Sequence, residues 1–404
     1  MTVFKISKSN ISFCDLGDGI VTNQRSIIFN EGNEIPVDEE SRELICIGNQ
    51  SGEPVKVQLS MKESNEKYIM SVEPPVVLLN SGYACEFEIN LTLNCSMKIN
   101  EKLMVVCKLI KSDREVIKDI NLQAMSQIST RLDPDELEEE KKLGEGSFGI
   151  VFLGSFRGNK VAIKKMKDVQ DNEKAMDEFD KEVSMLDKFR NDYIIHFYGA
   201  CFIPNKMCMV TEFAEYGSLQ QLIEKNSNNI PPIKFRLKIL SDCSKGIEYL
   251  HNNGILHRDI KPDNFLVISL EDNVQVNAKL TDFGSSRNIN ALMTNMTFTK
   301  GIGTPAFMPP EIIKQQKYKK SADIYSFAIV MYEVCGWCYA FPKSKFKFPW
   351  QIAEFVMRGK RPERIETINE KCYELIMKCW CEEARNRLSI CEVVKELELL
   401  CYNC

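Results

Sequence analysis

Histidine is almost absent from this chain: His196, His251 and His257 are the only three in 404 residues. The sixteen cysteines therefore have few imidazoles to join them. They are scattered, with Cys335-x-x-Cys338 and Cys379-x-Cys381 among the few close pairs, so they read as buried thiols of a reducing compartment rather than as zinc ligands. Long apolar runs are missing too. Residues 76–79 and 103–107 fall far short of the roughly 20 needed to cross a bilayer. Lys5, Lys8 and Ser9 interrupt the start before the apolar core of a signal peptide could form, so the expectation is a cytoplasmic protein without a membrane span. Surplus positive charge is also lacking. A net charge of −5 leaves no basic footprint for nucleic acid or an anionic membrane.

What is present is globular: 44% apolar and 27% charged residues, in a length that suits two or three units. Residues 1–130 read as strands. Val55–Met61 alternates apolar with polar, as do residues 85–93, and residues 103–110 add a further apolar strand. Turn signals at residues 49–52, 73–75 and 80–82 separate these runs, which predicts an antiparallel β-sandwich. The alternation, with a Pro74-Pro75 corner between strands, resembles major-sperm-protein and related immunoglobulin-like sandwiches. With no histidine and with acids that alternate as a solvated face would, this part carries no catalytic constellation. Its expected role is structural or docking, with a protein partner on a sheet edge or loop as the further reading. Residues 131–142 hold five acids between Asp133 and Glu139 and read as a charged, solvated linker.

The second part carries an ordered set of motifs. Leu143-Gly144-Glu145-Gly146-Ser147-Phe148-Gly149-Ile150-Val151 is a glycine-rich turn. A bare GxGxxG fits a dinucleotide-binding turn equally well, but that turn would open a helix. Here the chain continues as a strand, and a second strand, Val161-Ala162-Ile163-Lys164, follows. Met176, Phe179, Val183, Leu186 and Phe189 then recur at three- and four-residue steps, predicting a helix over 173–190 with Glu182 at the border of its buried stripe. Further on stand His257-Arg258-Asp259-Ile260-Lys261-Pro262-Asp263-Asn264, then Asp282-Phe283-Gly284, then Gly303-Thr304-Pro305 and Pro309-Pro310-Glu311.

This order resembles the protein kinases, and Phe197-Tyr198-Gly199-Ala200-Cys201, Gly217-Ser218-Leu219, Gly359-Lys360-Arg361-Pro362 and Cys379-Trp380 resemble the tyrosine-kinase-like group of Ser/Thr kinases. The resemblance covers residues 137–401. It implies an α+β bilobal kinase fold after the all-β sandwich, with a small lobe over 137–213 and a large lobe over 214–401. It implies ATP and Mg²⁺ as cofactors and protein hydroxyls as substrates. Asp259 becomes the base, Lys261 the cation for the transferring phosphoryl, Thr304 their partner, and Asn264 and Asp282 the metal ligands. Gly144, Glu145, Gly146, Ser147, Phe148 and Gly149 would cover the phosphates, and Lys164, oriented by Glu182, would hold them. Val151, Ala162 and Leu266 would sandwich the adenine, Glu212 and Ala214 would bind its edge, and Thr211 would stand at the back of the pocket.

Asp323 would brace the catalytic loop, and Glu311 would pair with Arg387. Arg258 suggests a switch in which phosphorylation among Ser285, Ser286, Thr294, Thr297 and Thr299 orders the loop. Asn191-Asp192, Pro309 and Leu388 depart from the group's pattern without touching phosphate, metal or base. Residues 270–277 form an enlarged hairpin whose purpose the sequence does not reveal. A dual-specificity or tyrosine kinase, and a pseudokinase scaffold acting through the sandwich, stand as the alternatives.

Overall fold

The computed structural model describes residues 2–63, 65–146, 149–166, 173–288 and 304–403. The chain divides into two compact units, Met1–Asn172 with Tyr198–Val210, and Glu173–Phe197 with Thr211–Cys404.

In the first unit, the strand Tyr83–Leu93 alternates buried and half-buried residues from Cys85 to Leu93, and Val55–Met61 alternates through Leu59. Period 2 thus becomes one buried face per sheet. A six-stranded sheet is built around Tyr83–Leu93 and Glu40–Asn49; a five-stranded sheet runs through Lys98–Leu109 and Glu115–Met125. Their inner faces share a core that includes Phe29, Ile45, Phe87, Leu91, Leu103 and Leu122. The Pro74-Pro75 corner is the crossing point: Tyr68–Glu73 pairs in the first sheet and Val77–Leu79 in the second. One departure from the antiparallel expectation is the short strand Ser26–Ile28, which pairs parallel to Glu115–Met125.

The stretch 131–142, expected as a charged, solvated linker, keeps most of its charged side chains exposed, and it is ordered and paired. Asp133 caps a single 3₁₀ turn, Pro134–Glu136, and a strand starts at Leu137. All five acids have partners: Asp133 and Asp135 meet Lys67, Glu136 meets Arg157, Glu138 accepts from the Ser155 hydroxyl, and Glu139 meets Lys165. A five-stranded sheet follows, ordered Leu137–Gly146, Gly149–Phe156, Asn159–Lys165, Cys208–Glu212 and Phe197–Cys201. Its core gathers Leu132, Phe156, Val161, Ile163, Cys201, Cys208 and Val210.

The second unit is mainly helical. Lys320–Gly336 is buried from Ala322 to Gly336, as a helix apolar on all sides must be, and Ile233–Asn252 and Ile390–Tyr402 are among the helices of the same unit. The helix Glu173–Leu186 is shorter than the expected 173–190. Its last turn tightens, with Lys188 N–H donating to Met185 and Phe189 N–H to Leu186. Phe189 is nonetheless buried, because its ring packs edge-on against Phe283 and Tyr249. Met176, expected in the buried stripe, is 38% exposed. No helix among the described residues is long and apolar enough to cross a membrane.

Candidate active site

The first unit presents the glycine-rich hairpin. Gly146 pairs with Gly149, and Val151 stands directly opposite Lys164, as Leu153 does Ala162. Period 2 then sets Val151, Ala162 and Lys164 on one face, all half-buried, while Val161 and Ile163 point into the core on the other. Gly149 lies at φ +153, and a Cβ there would come 2.1 Å from the Lys165 carbonyl oxygen, so only glycine closes this turn. Gly144 and Glu145 lie on the preceding strand, Glu145 in an ion pair with Lys142. Ser147 and Phe148 lie outside the described residues.

In the second unit, the start of the stretch 257–264 is held by one carboxylate. Asp323, fully buried, accepts from His257 N–H at 3.1 Å, Arg258 N–H at 3.0 Å, His251 Nε2 at 2.9 Å and the Tyr318 hydroxyl at 3.2 Å. Burial raises its pKa, and the His251 hydrogen bond with the neighbouring imidazole charges and the Arg258 amide outweigh that, leaving it lowered. Arg258 takes φ +70, a left-handed conformation that a non-glycine residue keeps only where its surroundings hold it. The His257 ring faces the Thr281 carbonyl through Nε2 at 3.0 Å.

Four predicted residues converge in this unit. The Asp259 carboxylate accepts from Lys261 Nζ at 2.6 Å, from Thr304 Oγ1 at 3.1 Å and from Asn264 Nδ2 at 3.2 Å, and Lys261 also reaches Thr304 at 3.2 Å. Asn264 Nδ2 donates as well to the Asp259 carbonyl, at 2.7 Å. With its amide nitrogen so committed, Asn264 has Oδ1 to offer a ligand. That oxygen and the carboxylate of Asp282 are each hard oxygen donors of the kind Mg²⁺ takes. Asp282 is also left-handed, at φ +62. Next to it, Phe283 packs edge-on against His257, and a Cβ on Gly284 would lie 3.5 Å from Glu182 Oε2, so the helix glutamate stands beside this turn.

Thr211, Glu212, Ala214 and Leu266 follow in the same unit. Glu212 N–H donates to His196 O, and its carboxylate holds Lys279 and His196 N–H. Leu266 pairs with Lys279 and bridges to Ser218. The Glu311–Arg387 pair is bidentate at 2.6 and 2.8 Å.

Ser286 corrects one expectation. It is fully buried and donates to the His257 carbonyl, so it supports the catalytic loop instead of standing ready for a phosphate. Thr294, Thr297 and Thr299 lie outside the described residues. Sequence reasoning missed His251 and Tyr318, although the scarcity of histidine made His251 worth pursuing. It also missed the enlarged hairpin's anchor: Asn277 N–H donates to the buried Asp242 at 2.7 Å, and Lys238 binds both Asp242 and the Gln275 carbonyl.

Glu333, on Lys320–Gly336, accepts from Ala340 N–H at 2.9 Å. Burial, with a smaller push from Asp263, raises its pKa from 4.5 to about 8. A carboxyl held neutral in the fold contributes stability in full below its unfolded value and loses it as pH rises toward the folded one. The unfolding midpoint should therefore fall between about pH 4.5 and 8, and Glu333→Gln should flatten that decline in thermal melts across the range.

A glycine-closed hairpin bearing Lys164, and a loop whose Arg258 amide is held by Asp323 and whose Asp259 meets Lys261 and Asn264, define a protein kinase. Residues 137–397 match the protein kinase domain family, and the chain belongs to it. Among its relatives, the "Probable serine/threonine-protein kinase gdt9" of Dictyostelium discoideum is 30% identical over 380 residues, covering 87% of this chain and 23% of its own length. That alignment is longer than the residues from 137 onward can supply, so it continues into the sandwich. The serine/threonine-protein kinase STY17 of Arabidopsis thaliana is 35% identical over 272 residues, 67% of this chain and 45% of its own. The dual specificity protein kinase shkB of Dictyostelium discoideum is 33% identical over 273 residues, 67% of this chain and 41% of its own. The chain thus spans less than half the length of each of these relatives.

Proposed function

We propose that this chain transfers the γ-phosphoryl of Mg-ATP to Ser or Thr hydroxyls of protein substrates. The observation that carries the reading is the Asp259–Lys261–Thr304–Asn264 cluster, in which a base, a cation and a metal-ligand amide share one carboxylate. Asp259 accepts the substrate hydroxyl's proton and aligns its oxygen for in-line attack. Lys261, 2.6 Å from Asp259, is placed to balance charge on the phosphoryl as it transfers. Thr304 holds both, and the resemblance to Ser/Thr kinases at this threonine favours Ser and Thr as acceptors. Asn264 Oδ1 and Asp282 would hold Mg²⁺, whose contribution is to neutralise phosphate charge.

Lys164 and the glycine-rich turn hold the phosphates, Glu182 orients Lys164, and the Glu212 carbonyl with Ala214 binds the adenine edge. Val151, Ala162 and Leu266 cover the adenine faces, and Thr211 bounds the pocket. Phosphorylation within 285–299, with Arg258 as receiver, is the proposed switch, Ser286 excepted. A dual-specificity reading has the shkB likeness in its favour. Phosphoamino-acid analysis after incubation with radiolabelled ATP and Mg²⁺ tests the assignment. Label on Ser or Thr is expected, and label confined to Tyr would overturn the specificity.

A further inference from the structure

We propose that residues 129–135 are a shared backbone bridge and ionic clamp that make the β-sandwich a fixed extension of the kinase's small sheet, so that a disturbance of the sandwich is passed to that sheet. The backbone is bonded on both sides. Toward the sandwich, Ser96 N–H donates to the Arg131 carbonyl at 2.8 Å and Ser129 N–H to Ser96 Oγ at 3.2 Å. Toward the kinase sheet, Ala200 N–H donates to Thr130 O at 2.8 Å and Leu132 N–H to Ala200 O at 2.9 Å. The approach is close enough to dictate a residue: a Cβ on Gly199 would lie 2.3 Å from Thr130 O.

Side chains repeat the pattern. Lys67, from the sandwich, sits between Asp133 at 2.7 Å and Asp135 at 2.5 Å, and Asp135 faces Lys206, in the connection between the kinase-sheet strands Phe197–Cys201 and Cys208–Glu212, at 3.7 Å. Arg131 binds Asp38 of the sandwich at 2.7 Å while its guanidinium lies 4.3 Å from the Phe202 ring centre. Exposed ion pairs contribute little, but the Lys67 and Asp133 side chains are only 17% and 13% exposed, so solvent screens this one less. Leu132 carries the link onward. It packs in one core with Val161 and Ile163, which alternate along their strand with Ala162 and Lys164. The division of the chain agrees: the small sheet up to Lys165 groups with the sandwich.

The test is amide hydrogen exchange on the full chain. Lys67→Glu should speed exchange at Ser96, Leu132 and Ala200 together, by about tenfold or more for loss of a charged clamp. Ile89 and Val105, inside the sandwich, should keep their protection. The swap Lys67→Asp with Asp133→Lys should restore all three amides. Should Lys67→Glu also expose Ile89 and Val105, Lys67→Met is read by the same criterion. Faster exchange at Ser96 with Ala200 unchanged, or no change at either, would show two independent bodies and overturn the proposal.

Discussion

Asp259→Asn should lower phosphoryl transfer by about 100- to 10,000-fold while leaving the thermal midpoint near that of the wild type. The carboxylate accepts hydrogen bonds from Lys261, Thr304 and Asn264, and an asparagine can present one oxygen to the same donors without changing size. What it cannot do is take a proton from an attacking hydroxyl. The loss should therefore fall on kcat, with ATP affinity little altered, because the nucleotide-holding residues are elsewhere. Steady-state assays of purified wild type and variant, alongside melting curves, separate the two effects. Wild-type turnover in Asp259→Asn would disqualify Asp259 as the base.

Asp323→Ala should act on both stability and activity. Four donors converge on this buried carboxylate, and its removal strands the His257 and Arg258 amides, the His251 ring and the Tyr318 hydroxyl away from water. Breaking a buried charged network of this kind costs about 3–5 kcal/mol. Arg258 depends on the Asp323 bond at its amide to keep its left-handed backbone, so the loop bearing Asp259 should lose its geometry as well. The pH sign follows from the lowered pKa. The stabilisation is present above the ordinary carboxyl value of 3.8 and lost as pH falls through and below it. Denaturant titrations between pH 7 and pH 3 should show a steeper decline in acid for the wild type than for Asp323→Ala. Equal stability of the two proteins at pH 7 would refute the bracing role.

These expectations draw on parts of the molecule that were unequally legible. The strands around 55–61 and 85–93 were readable because a half-buried strand must alternate, and the alternation survives in the burial of Cys85, Phe87, Ile89, Leu91 and Leu93. Asp259, Lys261 and Asn264 were readable because they lie within six residues, where a loop must bring them together. Thr304 belongs to the same cluster from 45 residues beyond Asp259, and only its motif marked it. Ser286 could not be judged from its neighbours: a polar stretch rich in hydroxyls looks exposed, and its burial depends on a bond to His257, 29 residues away. The same holds for Asn277, whose partner Asp242 lies on a separate helix.

The sequence by itself determined the two kinds of architecture, the order of the catalytic elements and the chemistry available at each, since these rest on local period and on residue type. Tertiary structure alone decided that Asp133 and Asp135, in a stretch composed like a solvated linker, are held by Lys67. That lysine precedes them by 66 and 68 residues. An acidic run codes for solvation unless the folded chain brings a cation to it, and where the chain passes is set by the packing of both sheets together.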